Sequence, residues 1–90
     1  MEFDWDEDKR QANLDKHGVD FLDAALIFEG ICATLVDGRT DYGEVRMTAV
    51  GIADGTLYVV AFTIRGNAIR LISARKGGRR DRRKYQTGIA

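Results

Sequence analysis

The chain has 90 residues, of which 44% are hydrophobic and 31% are charged, and its 14 basic and 14 acidic side chains give a formal net charge of zero. This length and composition predict one folded domain over residues 1–90 and exclude an intrinsically disordered chain. The single cysteine excludes an internal disulfide, and no apolar run approaches the roughly 20 residues that span a bilayer. The opening MEFDWDEDKR is acidic where a secretory leader is basic and then apolar, so we expect a cytoplasmic protein.

The zero net charge hides a division between the two halves of the chain. Residues 1–45 hold twelve acids and four bases, whereas residues 46–90 hold ten bases and two acids. Most of these bases fall in RLISARKGGRRDRRKY, residues 70–85. Clustered Arg and Lys raise a local positive potential that attracts polyanions. One cysteine and one histidine cannot supply a zinc ligand set, so we expect neither a metal nor a cofactor.

The first third of the chain predicts a short strand and two helices. EFDW at residues 2–5 alternates polar and apolar side chains, which is typical of a strand. A helix should follow, with Asp4 or Asp6 as its cap and Gly18 as the left-handed residue that ends it. Asp20 has the position of a cap for a second helix, whose apolar stripe packs on the rest of the fold and which ends at Gly30.

The remainder reads as strands joined by short turns, followed by a basic helix. We predict strands over 31–37, 44–52, 56–64 and 68–75, a loop over 38–43, turns over 53–55 and 65–67, and a helix over 79–87. The fold class is therefore α+β, with two N-terminal helices on one face of a mainly antiparallel four-stranded sheet and a short basic C-terminal helix. Because the helices are expected to cover only one face, the other should be open to a ligand.

Several arginines are candidates for contact with that ligand. Alternation along strand 44–52 places Glu44 and Arg46 on one face. Alternation along strand 68–75 places Arg70 and Arg75 on opposite faces, unless the end of the strand twists. Arg65 lies at the tip of the hairpin between the last two strands. A planar guanidinium can hold a phosphate through two hydrogen bonds, so this pattern predicts an RNA-binding surface.

Metal-free cleavage of RNA sets a further demand on this surface. It needs a base for the 2′-hydroxyl proton, an acid for the leaving oxygen, and fixed positive charge on the phosphorane. Glu44 is a candidate base, and His17 is the residue whose type titrates near neutral pH. Each has a structural alternative: Glu44 in a solvated ion pair with an arginine, and His17 favoured by the dipole at a helix end. Tyr85 could stack on a base or pack on the sheet, and the sequence leaves these alternatives open.

Three stretches of the chain carry a resemblance to a known family. They are FDWDEDKRQANLDKHGVDFLDAALIF, the GEVR strand and FTIRGNAIRLISARKGGRRDRRKY, which together cover roughly residues 3–85. The combination resembles the BrnT toxins of bacterial type II toxin–antitoxin modules. The resemblance implies a RelE-like ribonuclease fold and an RNA-cleaving toxin that halts translation. It also implies a BrnA antitoxin as partner, through whose DNA-binding part the complex represses its own promoter.

The resemblance also assigns roles to residues. It implies catalytic candidates in the GE-x-R, FT-x-R and ISAR motifs, namely Glu44, Arg46, Arg65 and Arg75. It implies that the last helix holds the RNA backbone through Arg79, Arg80, Arg83 and Lys84. Tyr85 joins these RNA-binding candidates because of its place among the arginines and not because of the resemblance. The KHG element, residues 16–18, is interpreted as structural. Gly77, Gly78 and Asp81 replace the usual Ser or Thr cap and the Glu three positions on, which predicts a weak start to this helix.

We therefore predict a metal-independent endoribonuclease that acts on mRNA and has no membrane association. In this interpretation Arg46, Arg65 and Arg75 clamp the phosphate, while Glu44 acts as base or orients an arginine. One alternative is a module that binds RNA and blocks translation without cleavage. Another is a subunit whose basic helix serves to dock an acidic partner.

Overall fold

The computed structural model describes residues 2–37 and 44–89. In chain order the strands are β1 (Glu2–Asp4), β2 (Ala33–Asp37), β3 (Arg46–Ala53), β4 (Thr56–Arg65) and β5 (Ala68–Lys76). The helices are α1 (Glu7–His17), α2 (Phe21–Ala24) with a 3₁₀ segment (Ala25–Glu29) after it, and α3 (Arg79–Ile89). The predicted α+β class is confirmed. No helix in the described ranges is long and apolar enough to cross a membrane.

The sheet has five strands in the order β1-β5-β4-β3-β2, so the predicted count of four is wrong. Strands β2 to β5 form the predicted antiparallel meander. The additional strand is β1, which lies parallel to β5 with Phe3 opposite Ile69. The prediction recognised this short strand but gave it no partner, because pairing between residues so far apart in the chain leaves no local signal.

Some element boundaries differ from the prediction. The expected loop over 38–43 lies outside the described residues. Strand β3 begins at Arg46, which leaves Glu44 before the strand, and the expected second helix is one α-turn followed by a 3₁₀ segment. The Asp-Gly hairpin is confirmed: Asp54 and Gly55 have φ of 50° and 78°, the left-handed pair that a tight two-residue turn requires.

The core lies between the sheet and the N-terminal helices. Its largest fully buried side chains are Phe21, Ile27, Val60 and Leu71. The Phe28 ring meets the Phe62 ring edge-on, with centroids 5.1 Å apart. Burial of these apolar groups stabilises the domain from this side.

Helix α1 is attached to the sheet by hydrogen bonds more than by apolar packing. Its one buried residue is Asn13. The Asn13 Nδ2 donates to the carbonyls of Val19 at 2.9 Å and Ala74 at 2.8 Å, and its Oδ1 accepts from the Ala74 N–H at 3.0 Å. This side chain therefore fixes the position of α1 relative to β5.

Strand β5 contains a bulge that corrects one prediction about its side chains. Ala61 pairs with Ser73 and Phe62 pairs with Leu71, which leaves Ile72 as an extra residue. An extra residue reverses the alternation beyond it. Arg70 pairs with Thr63, and Arg75 pairs with Val59 four positions away on β4, so both arginines lie on the same face. The expectation that they face opposite sides is wrong.

Helix α3 covers part of the second face, so the expectation of a fully open face is also wrong. Tyr85 packs against the buried side chains of Val50, Leu57 and Val59. At the far end of the helix, a Cβ added to Gly88 would lie 2.7 Å from the Ala33 Cβ, which shows how closely helix and strand approach. The start of α3 is held as well, because the Gly78 N–H donates to Asp81 Oδ2 at 2.9 Å.

Candidate functional site

A cleft of about 480 Å³ opens on the second face of the sheet, beside the first turns of α3. Val50, Val59 and Ala61 belong to its apolar lining. Its polar lining comes from α1, β3, β5 and α3 and consists of His17, Thr48, Ser73, Arg75, Asp81 and Lys84. Below, this space is called the RNA-side cleft, after the ligand that the sequence predicts for this face. Among the predicted site residues, Arg75 and Lys84 line it.

Arg75 is held at the cleft by a carboxylate of α3. Its Nη1 donates to Asp81 Oδ2 at 2.8 Å, and its Nη2 donates to Asp81 Oδ1 at 3.2 Å. The hydrogen bond with Arg75 lowers the pKa of Asp81, and the same bond raises the pKa of Arg75. The pair is therefore charged at neutral pH. The guanidinium presents to Asp81 the two-pronged edge that it would present to a phosphate.

His17 reaches the same cleft from the other end of the chain. It is the last residue of α1, and the Asn13 hydrogen bonds to Ala74 hold that helix next to the strand residue that precedes Arg75. The structural interpretation of the KHG element therefore missed a residue that lines the cleft. The signal that could have found His17 was its place in that motif combined with its being the only histidine.

The other predicted catalytic residues form a second group. Glu44 Oε2 lies 3.3 Å from Arg65 Nη2, and Glu44 Oε1 lies 4.0 Å from Arg46 Nε. Alternation places Arg46 on the face of Val50, which lines the cleft. The two residues are four positions apart, or about 13 Å along an extended strand. The structure thus brings Glu44, Arg46 and Arg65 together, but apart from Arg75.

The predicted RNA-binding residues of α3 divide between three environments. Lys84 lines the RNA-side cleft and also a second groove, between α3 and β2, which Arg80 and Arg83 line as well. Arg79 is exposed at the start of the helix. Tyr85 is packed against the sheet, so of its two interpretations the structure supports packing.

Cys32 and any group of side chains that could bind a metal ion are further candidates for chemistry. Cys32 donates to the Ile27 carbonyl at 2.9 Å, and burial raises the pKa of its thiol. Such a thiol is a poor nucleophile at neutral pH. Within residues 2–37 and 44–89, no three His, Cys, Asp or Glu side chains are grouped so that they could hold a metal ion.

A comparison with protein families matches residues 5–81 to the ribonuclease toxin BrnT of type II toxin–antitoxin systems. The matched stretch includes α1, the whole meander and the Arg75–Asp81 pair. A comparison with curated proteins finds no match. The chain therefore belongs to the BrnT family of ribonuclease toxins, and with that family come an RNA substrate and an antitoxin partner.

Proposed function

We propose that this protein, on a RelE-like fold, cleaves mRNA without a metal ion, arrests translation and is neutralised by a BrnA-like antitoxin. Promoter DNA would be contacted through the antitoxin alone. The observation that carries the proposal is the RNA-side cleft, in which Arg75, Lys84, Ser73 and His17 meet on the basic side of the sheet. Two cations, a hydroxyl and an imidazole in one cleft are suited to binding a phosphodiester and transferring protons around it.

In the proposed reaction the 2′-oxygen of a ribose attacks the adjacent phosphorus. The bond to the 5′-oxygen of the next nucleotide breaks, which leaves a cyclic phosphate and a free 5′-hydroxyl. Arg75 and Lys84 stabilise the charge that grows on the phosphate oxygens in the transition state. The 2′-hydroxyl loses one proton and the leaving oxygen gains one, so the step is balanced. Because in-line attack places these two oxygens on opposite sides of the phosphorus, a side chain accepts the first proton and water supplies the second.

We assign the acceptance of the 2′-proton to His17, because a neutral imidazole nitrogen accepts a proton and His17 lines the cleft. The charged groups that line the cleft with it are Arg75, Asp81 and Lys84. Glu44 is a weaker choice for the base, because it bridges Arg46 and Arg65. We propose instead that it orients those two arginines on the backbone of neighbouring nucleotides.

The proposal is tested by incubating the purified protein with RNA and comparing variants. Arg75→Ala should reduce cleavage at least about 100-fold, the scale of losing one preorganised donor to the phosphorane. Arg82→Ala is the matched control, because Arg82 is exposed on α3 and lines neither cavity. Full cleavage by Arg75→Ala would refute the proposed site.

His17 requires a test of its own. His17→Ala should also reduce cleavage about 100-fold or more, and should change how the remaining rate depends on pH. Lys16→Ala, an exposed neighbour, should behave like the unmodified protein. If His17→Ala keeps both the rate and its pH profile, another group transfers the proton.

Binding without cleavage remains the second candidate function. The observation that favours it is that internal carboxylates already occupy Arg75 and Arg65. A non-catalytic module would retain RNA at low salt, lose it steeply as salt increases, and yield no product. Product formation that depends on Arg75 separates the two functions.

A further inference from the structure

The two edges of the sheet differ in how they are protected. An edge strand exposes unpaired backbone groups that invite another strand, and proteins protect such edges by shortness, charge, proline or bulges. The β1 edge has three residues, two of which are Glu2 and Asp4. The β2 edge has five residues, and its one charged residue is the last, Asp37. The four before it, Ala-Thr-Leu-Val at 33–36, carry no charge or proline, and they pair with β3 without a bulge.

The apolar side chains of the β2 edge are exposed. Leu35 is 55% exposed and Val36 is 67% exposed, and Ile31 just before the strand is 69% exposed. An unprotected edge with adjacent apolar side chains is typical of a surface that is covered by a partner.

Beside this edge lies the groove between α3 and β2, with a volume of about 550 Å³. Cys32, Leu35 and Val50 belong to its apolar lining. Its helical side carries Arg80, Arg83 and Lys84, three exposed cations of one helix. A ligand that fits this groove combines apolar side chains with negative charge. The apolar lining and the open strand edge favour a polypeptide over RNA, which offers no strand to pair.

We infer that the antitoxin docks here, with an extended acidic segment that pairs with β2 as a sixth strand and contacts Arg80 and Arg83 through its carboxylates. This inference rests on the proposed function, to which it adds the partner's binding surface. Strand addition supplies main-chain hydrogen bonds, while the side chains of alternate residues supply specificity. The acidic segment would pair with the unpaired backbone groups of β2, and its carboxylates would balance the positive charge of α3.

The same docking explains how the toxin is silenced. The groove and the RNA-side cleft share Leu35, Val50 and Lys84. A segment seated in the groove therefore covers one wall of the cleft and neutralises a cation that RNA needs. Antitoxin and RNA exclude each other without any change in the fold.

The test uses the full-length protein and the product of the reading frame that adjoins its gene. Hydrogen exchange of the free protein and of the complex should show new protection of the amides of Ala33–Val36. Protection confined to α1 and α2, with β2 unchanged, would overturn the inference, as would a failure of the two proteins to bind.

Matched variants test the chemistry of the groove. Leu35→Glu places a negative charge against the acidic segment and should weaken the complex about tenfold. Leu22→Glu is its control, because Leu22 is also 55% exposed but belongs to α2 on the other face. Arg83→Glu should weaken binding similarly, whereas Arg82→Glu, the adjacent position on the same helix, should not.

Equal affinities for Leu35→Glu and Leu22→Glu would overturn the inference, even if the complex forms. RNA cleavage by the free protein, measured separately, keeps this result distinct from the proposed function. Cleavage by the free protein without protection of β2 in the complex would overturn the docking surface and leave the proposed function standing. Protection of β2 without cleavage would overturn the proposed enzymatic function and leave the docking surface standing. Protection of β2 by RNA in place of the partner would assign the groove to the substrate.

Discussion

The two faces of the sheet differ in how much apolar surface they bury and in whether they carry cavities. The face under α1 and α2 is closed by a large apolar cluster that contains Phe21, Ile27 and Leu71. The face under α3 has a small cluster of Val50, Leu57 and Val59 with Tyr85, and the rest of it is the cleft and the groove. Ninety residues can bury only one substantial core, so a core concentrated on one face leaves the other face more accessible.

Charge follows the same division. Exposed acids such as Glu7, Asp8 and Asp15 lie on α1, whereas α3 carries five bases and one acid within residues 79–84. On the cleft side, arginines are held by carboxylates from elsewhere in the chain: Arg70 by Asp4 at 2.6 Å, Arg65 by Glu44 and Arg75 by Asp81. These ion pairs fix the arginine side chains in position, and in the proposed function an RNA phosphate would have to compete with a carboxylate for them.

The largest effect on stability is expected on the face under α1 and α2, from Asn13→Ala. The substitution leaves the buried N–H and carbonyl of Ala74 without their partner, so the free energy of unfolding should fall by about 2–4 kcal/mol. Urea denaturation measures this loss. Asn67→Ala, in the exposed turn before β5, is the control and should change stability by less than about 0.5 kcal/mol. If the two variants are equally stable, α1 is not held by Asn13.

The next effect is expected where α3 meets β2, from Gly88→Ala. The added methyl group would lie 2.7 Å from the Ala33 Cβ, and neither group can rotate away, so helix or strand must move. We expect a loss of about 1–3 kcal/mol, partly offset by the better helix propensity of alanine. Thermal unfolding measures it. Gly30→Ala meets nothing closer than 4.0 Å and is the control. Unchanged stability of Gly88→Ala would mean that α3 does not pack closely on the sheet.

A smaller effect on stability is expected on the face under α3, from Asp81→Asn. The Arg75 side chain is 48% exposed, so loss of this ion pair should lower stability by no more than about 1 kcal/mol. RNA affinity should increase severalfold, because a phosphate no longer competes with a carboxylate for Arg75. Fluorescence anisotropy with labelled single-stranded RNA at fixed salt measures the affinity. Asp15→Asn makes the same charge change on α1 and is the control; equal affinity of both variants would contradict the competition.

The smallest effect is expected from acidification. Hydrogen bonds from Arg10 and Arg75 lower the pKa of Asp20 and Asp81, respectively. A carboxyl whose pKa is lower in the folded state stabilises the protein fully above the unfolded pKa, near 4, and loses this contribution as the pH falls through the folded pKa. The contribution of these two carboxyl groups to the free energy of unfolding should therefore stay constant around neutral pH and decrease below about pH 4. Asp20→Asn and Asp81→Asn should each flatten that decline in urea titrations.

Much of the local structure follows from the sequence because its causes are close along the chain. Asp6 and Asp20 cap α1 and α2 through backbone N–H groups two or three residues away, and Gly18 ends α1 with φ of 68°. The Asp54-Gly55 turn was predicted from two residues. The charge division and the basic last helix could likewise be read directly, and the family resemblance carried the function class.

The composition of the cleft was decided by the tertiary structure. Whether Arg70 and Arg75 share a face depends on the bulge at Ile72, which is a property of the pairing of β5 with β4. His17 enters the cleft because Asn13 bonds to Ala74 across 61 positions of sequence, and Tyr85 is packed because α3 turns back onto the sheet. Helix caps, turns and local charge depend on neighbours within a few residues of the chain. The face on which a strand side chain lies, and the residues that surround the end of a helix, depend on partners that are distant in the sequence and come close only on folding.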